Sequence, residues 1–321
     1  MLTGEIPEEL AHCQQLRWLS LGSNLLIGRI PGFLSGLVNL KWLNLCENSL
    51  EGEIPDLERL KNLRWLHLDK NRLTGRIPSH LARLPNLSVL DLSHNGLRGE
   101  IPVLGQQLKI LDLSRNFLTK MPQDLLFLPQ IELLDLSRNG LEGPLLGLCS
   151  VLEAIGPARW SKRWVARKEP HPLRQLRLNH NDFSGEIPKC LVNKEYLKHL
   201  SLNNNRLEGV IPSIGAKQLV VLALHSNRLS GPLPSFLSLK HLAVLTVHKN
   251  ALDGALPEMR LVAPCIDNTK LSLHGLGCST IRQMLRGGSC EILKHRANQA
   301  TTRSLFLLEI EKLEEQIPIR K

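Results

Sequence analysis

The chain has 321 residues, is 42% hydrophobic and 22% charged, and carries 40 Lys+Arg against 30 Asp+Glu, a formal net charge of +10. This length suits two ordinary domains or one extended repeat array, and the composition fits a folded soluble protein. No apolar run is long enough to span a bilayer, no basic stretch followed by a hydrophobic one opens the chain, and seven cysteines without close pairs do not outline a disulfide framework. The excess of positive charge favours acidic partners over basic ones.

The chain opens on "LTGEIPEELAHCQQ", Leu2 to Gln15, which has the form of the second half of a longer unit. The full unit then follows as L-x-x-L-x-L-x-x-N-x-L-x-G-x-I-P. It starts at Leu16, Leu40, Leu63, Leu87, Leu108, Ile131, Leu173, Leu197, Leu219 and Leu242. A period of 20 to 50 residues is the signature of a solenoid. The L-x-L centre predicts a short strand with leucines inward and alternate residues outward. One copy cannot bury its own apolar face, so copies stack on a shared core.

The ninth place is always asparagine: Asn24, Asn48, Asn71, Asn95, Asn116, Asn139, Asn181, Asn205, Asn227 and Asn250. It falls where the chain leaves the strand, where an amide satisfies backbone groups that the turn leaves unpaired. We read it as a structural ladder. Gly28, Gly52, Gly75, Gly99, Gly185, Gly209, Gly231 and Gly254 each precede a proline by three residues. Glycine permits the tight turn, and proline ends the ladder bonding.

The pattern divides the chain into four segments. Residues 1–148 hold the partial copy and six full ones. Residues 149–172, "CSVLEAIGPARWSKRWVARKEPHP", lack the repeat phrase and form a basic insertion. Its Trp160 and Trp164 are four apart, the spacing of neighbours on a helix, and offer a secondary contact. Residues 173–257 hold four more copies, and residues 258–321 hold a degenerate repeat, a terminal cap and an amphipathic tail. Cys13 and Cys190 read as buried thiols. Cys265, Cys278 and Cys290 lack zinc-ligand spacing, and neither metal nor cofactor is expected.

The phrases "LHLDKNRLTGRIPSHLARLPN" (Leu66 to Asn86) and "LSLNNNRLEGVIPS" (Leu200 to Ser213) carry a resemblance. The chain resembles the plant-type leucine-rich repeat over residues 1–257. The resemblance implies an α/β repeat solenoid: a curved array with a parallel β-sheet on the concave face and irregular or short helical turns on the convex face. It also implies a receptor-like binding module, of the kind found in ectodomains of receptor-like kinases and receptor-like proteins, and not an enzyme. No phosphate-loop, zinc-protease, nucleophile-elbow or kinase motif occurs in the sequence.

Within the unit, places three, five and seven should face the concave solvent. Place three gives Trp18, Trp42 and Trp65 on successive strands, with Arg17, Lys41 and Arg64 beside them at cation–π reach. Together with His67 these form the expected contact surface, since exposed tryptophans beside cations mark binding hot spots. Place five gives Asp91, Asp112 and Asp135, a routine phrase of the resembled family; place seven gives His225 and His248. The expected partner is a protein or peptide on the concave face. An acidic polysaccharide or a cell-wall enzyme, or an intracellular scaffolding role, is the alternative; nucleic acid is not expected. The repeat type argues for the cell surface or exterior, if the chain is part of a receptor-like protein. The sequence as it begins and ends argues for the cytoplasm.

Overall fold

Alternation within each L-x-L phrase decides the architecture. Leu43, Leu66, Leu90, Leu111, Leu134, Leu176, Leu200 and Leu222 are fully buried, and they stack in one row along the molecule. Removing each leucine from water contributes about 2 kcal/mol, but only if a neighbouring copy closes over it.

The computed structural model describes residues 1–122, 125, 128–145, 172–255 and 257. The insertion up to residue 171, with Trp160 and Trp164, and the segment 258–321 lie outside the described residues. Ten three-residue strands form one parallel sheet in sequence order: β1 (Trp18–Ser20), β2 (Trp42–Asn44), β3 (Trp65–His67), β4 (Val89–Asp91), β5 (Ile110–Asp112), β6 (Leu133–Asp135), β7 (Gln175–Arg177), β8 (His199–Ser201), β9 (Val221–Ala223) and β10 (Val244–Thr246). The register holds between β6 and β7, with Leu134 opposite Leu176, although 42 residues separate the starts of their copies. Short 3-10 turns at Glu8–His12, Gly32–Gly36 and Ser79–Arg83, and a single α-helical turn at Lys189–Val192, lie in the returns between strands. This is the parallel solenoid that the repeat implies.

The asparagines fasten successive coils together. Asn95 Nδ2 donates to the carbonyls of Leu92 and Ser93 in its own turn and of Leu68 in the preceding copy. Its Oδ1 accepts the Leu73 N–H, also in the preceding copy, at 3.0 Å. Asn181 does the same across the insertion, bonding Leu136 and Leu141 at 3.0 Å each. The residue before each asparagine is left-handed: Ser23, Glu47, Lys70, His94, Arg115, Arg138, His180, Asn204, Ser226 and Lys249 have φ between 52° and 56°. None of these ten is glycine and only one is asparagine, so most carry a steric cost of about 1–2 kcal/mol. The amide bonds that follow offset it.

A second set of parallel pairings runs along the flank, at the glycine positions. Gly75 has φ +80°, and a Cβ there would sit 2.7 Å from Glu53 Cγ. The missing side chain makes a bed for a long side chain of the preceding copy. The copy starting at Leu108 lacks this glycine. There the ladder skips a residue, pairing Leu118 with Gly99 and Lys120 with Glu100, while Thr119 is left over.

Asn95 is buried, whereas Asn24 bonds the exposed Leu2 N–H. Asn95→Ala should therefore cost about 2–4 kcal/mol, the penalty for orphaning buried backbone groups. Asn24→Ala should cost less than half as much. Thermal and urea unfolding of both variants checks the difference, and equal losses would show that the ladder is not what joins the coils.

Candidate functional site

The concave sheet positions the side chains considered for the main contact, while Trp160 and Trp164 lie outside the described residues. Trp18, Trp42 and Trp65 are direct register partners on β1, β2 and β3. Two strand spacings, about 10 Å, separate the first from the last. Trp18 is 39% exposed, while Trp42 and Trp65 are half-buried. The Trp42 Nε1–H is enclosed with no acceptor, which is uncommon for a buried indole. Arg17 and Arg64 are exposed and Lys41 is half-buried. Among the described residues the cation–π contact found is Arg98 over Phe117, at 5.5 Å, and none joins these cations to the indoles. Neighbouring places on an extended chain diverge, which separates place two from place three.

Place five departs from the expected solvent-facing column. His67 is 8% exposed, Asp91 and Asp112 are 5% exposed, and Asp135 is 3% exposed. The cause is crowding: strands under 5 Å apart on a concave face leave little room between flanking columns. Each aspartate turns one oxygen back onto its own strand. Asp91, Asp112 and Asp135 Oδ1 accept the N–H of Ser93, Ser114 and Ser137 at 2.9–3.0 Å.

These carboxylates form a seam of buried like charge. Burial first, then Asp112 and Asp69, pushes Asp91 well above the usual carboxylate range. Burial and Asp135 raise Asp112 to about 7. Asp69 rises to about 6, chiefly through burial. Burial also lowers His67 to about 4, leaving its imidazole neutral at pH 7. Among the described residues one cation pairs with the place-five aspartates: Arg177, whose Nη1 lies 3.3 Å from Asp135 Oδ2.

A basic edge borders the seam. Lys70, His94, Arg115, Arg138 and His180 occupy the left-handed place eight of consecutive copies. Burial and the neighbouring arginines lower both His94 and His180. Lys70 pairs with Glu47. Strand alternation singles out places three, five and seven, so this edge escaped the reading of the sequence. Scanning the residue before each asparagine would have found it. At the far end of the sheet His225 and His248 stack with ring centroids 4.5 Å apart, and His225 Nδ1 meets Thr246 Oγ1 at 2.8 Å. Two cysteines depart from expectation: Cys13 is an exposed thiol and Cys190 is disulfide-bonded.

Family models of the leucine-rich repeat match residues 14–73 and, as two copies, 61–105; a single-repeat model matches 172–193 and 196–217. The solved structure of a plant ice-binding protein is 32% identical, with a TM-score of 0.63, over 80% of this chain and 80% of that one. The chain belongs to the plant-type leucine-rich-repeat family. Other similar structures of this family are receptors. The plant peptide hormone receptor RGFR1, in complex with RGF2, is 29% identical with a TM-score of 0.73, over 84% of this chain and 42% of that one. The leucine-rich-repeat ectodomain of the Arabidopsis receptor kinase HAESA, in complex with an N-terminally extended IDA peptide hormone, is 28% identical with a TM-score of 0.60, over 84% and 52%. The chain thus spans about half the length of these receptor structures. No curated protein sequence matches it. Among the described residues no helix is long and apolar enough to cross a membrane.

The seam makes a pH prediction for this leucine-rich-repeat array. Asp112 holds its proton more tightly folded than unfolded. Its contribution is complete below the unfolded carboxylate range, near 4, and is lost as pH rises through about 7. His67, shifted down, contributes in the opposite sense between about 4 and 6.5. Asp112→Asn keeps the acceptor for the Ser114 N–H and removes the charge. The variant should melt several degrees above the parent at pH 8 and match it at pH 4. Scanning calorimetry across that range measures this, and equal melting temperatures at pH 8 would refute a charged seam.

Proposed function

We propose that this chain is a non-enzymatic, receptor-like module that binds a peptide or protein along its concave sheet, centred on β1 to β3. The observation that carries this reading is the exposed Trp18 at the head of an indole column, on a fold that peptide-hormone receptors share. An extended peptide laid across parallel strands meets one copy every 4.8 Å or so, and a column of indoles offers a large contact area at low entropic cost. Arg17, Lys41 and Arg64 border the column and suit an acidic segment of the partner. His67, deeply placed, acts in this reading as the floor of the contact. The Cys190 disulfide suits an oxidising compartment, where receptor ectodomains reside.

A second reading rests on the ice-binding relative, which matches this chain over most of both lengths. Thermal hysteresis in a freezing solution of the purified chain would favour it over peptide binding.

Peptides selected from a random extended library against the immobilised chain supply a probe. Trp18→Ala should weaken their binding about tenfold, and the triple variant with Trp42→Ala and Trp65→Ala at least a hundredfold. Fluorescence anisotropy gives the affinities, and far-UV circular dichroism checks the fold. Undiminished binding by a folded triple variant would remove the indole column from the contact.

A further inference from the structure

The β3–β4 end of the acidic seam holds a side-chain set whose chemistry goes beyond a peptide contact. His67 on β3, Asp91 on β4 and Asp69, two residues beyond His67, bring one nitrogen and two carboxylate oxygens within 4.8 Å of one another. His67 and Asp91 are register partners, so the sheet itself fixes their approach. We propose that these three residues bind a divalent first-row transition ion of the Zn²⁺ class.

Four observations carry this. First, one imidazole with two carboxylates is a mixed N/O donor set suited to Zn²⁺, Co²⁺ or Ni²⁺ and less suited to Ca²⁺ or Mg²⁺, which take oxygen ligands. Second, metal–ligand bonds of about 2.0–2.2 Å place tetrahedral ligands about 3.3–3.5 Å apart. Closing from 4.8 Å is a small side-chain adjustment. Third, Asp91 Oδ1 is already oriented by the Ser93 N–H at 3.0 Å, which resembles the outer hydrogen bonding that aims metal ligands. Fourth, the nearby cations form their ion pairs elsewhere. Arg177 serves Asp135 at the other end of the place-five column and Lys70 is engaged with Glu47. Among the described residues no ion pair reaches Asp69, Asp91 or Asp112. A divalent cation neutralises this seam where a single proton relieves only one carboxylate. Three protein ligands leave a position for water or for a group of a bound partner.

The test titrates the full chain, without any peptide, with Zn²⁺ by calorimetry and with Co²⁺ by visible absorption. The ion proposal therefore stands or falls apart from the peptide-binding reading. Expected are one tight equivalent per chain and a Co²⁺ d–d band. His67→Ala and Asp69→Asn should each weaken the tight step at least tenfold and abolish the band. Asp112→Asn, which reduces the acidity of the seam without removing a ligand, should change the affinity by less than threefold, and His225→Ala should leave it unaltered. If His67→Ala unfolds, Asp69→Asn at the half-buried site gives the same reading. The proposal is overturned if no tight step occurs, if the ligand variants titrate like the parent, or if Asp112→Asn weakens binding as much as His67→Ala, since that outcome denotes diffuse acidity.

Discussion

Each asparagine of the inner coils bonds backbone groups of two successive coils at once, and the rest of the molecule depends on it. A three-residue strand holds too few ladder bonds to define a coil by itself, and the leucine row behind it is non-directional. The amide gives direction. Its oxygen accepts an N–H from the previous coil and its nitrogen donates to carbonyls of both coils, so the turn after each strand is fixed relative to its predecessor. The left-handed residue before it is the cost of aiming the amide inward. That bond also survives the largest disturbance in the sequence, because Asn181 reaches Leu136 and Leu141 across the insertion.

A rigid stack of this kind turns sequence columns into surfaces. Side chains at one place of the unit recur at strand spacing, so a residue type repeated in the sequence becomes a ribbon in space. Three ribbons lie side by side: an indole column on β1 to β3, an acidic seam on β3 to β6, and a basic edge along the left-handed positions. The seam is unusual electrostatically. Ribbon geometry presses carboxylates together that would otherwise avoid one another, and burial raises their affinity for protons. The array thus accepts a local instability on its concave face, at the place-five carboxylates.

Much of this was legible in the sequence because repetition removes ambiguity. The period, the inward leucines and the direction of Trp18, Trp42 and Trp65 follow from counting places in the unit. What escaped had physical reasons. Place five reads as solvent-facing by alternation, yet Asp91, Asp112 and Asp135 are buried, because crowding between neighbouring strands arises only once the coils are stacked. The left-handed φ at Arg115 or Arg138 has no signature in residue type. Exposure of Cys13 and oxidation of Cys190 depend on what lies opposite them in space. The His67, Asp69 and Asp91 set crosses two copies and two places, so a search along single columns passes over it.

The central claim is that the concave face of the first strands receives the partner. Hydrogen–deuterium exchange of the chain, free and saturated with a library-selected peptide, tests it most directly. The account predicts slowed exchange concentrated in residues 16–69, with a concurrent change in indole fluorescence. Protection confined to the flanking pairings or to β8 to β10, with indole emission unchanged, would contradict it.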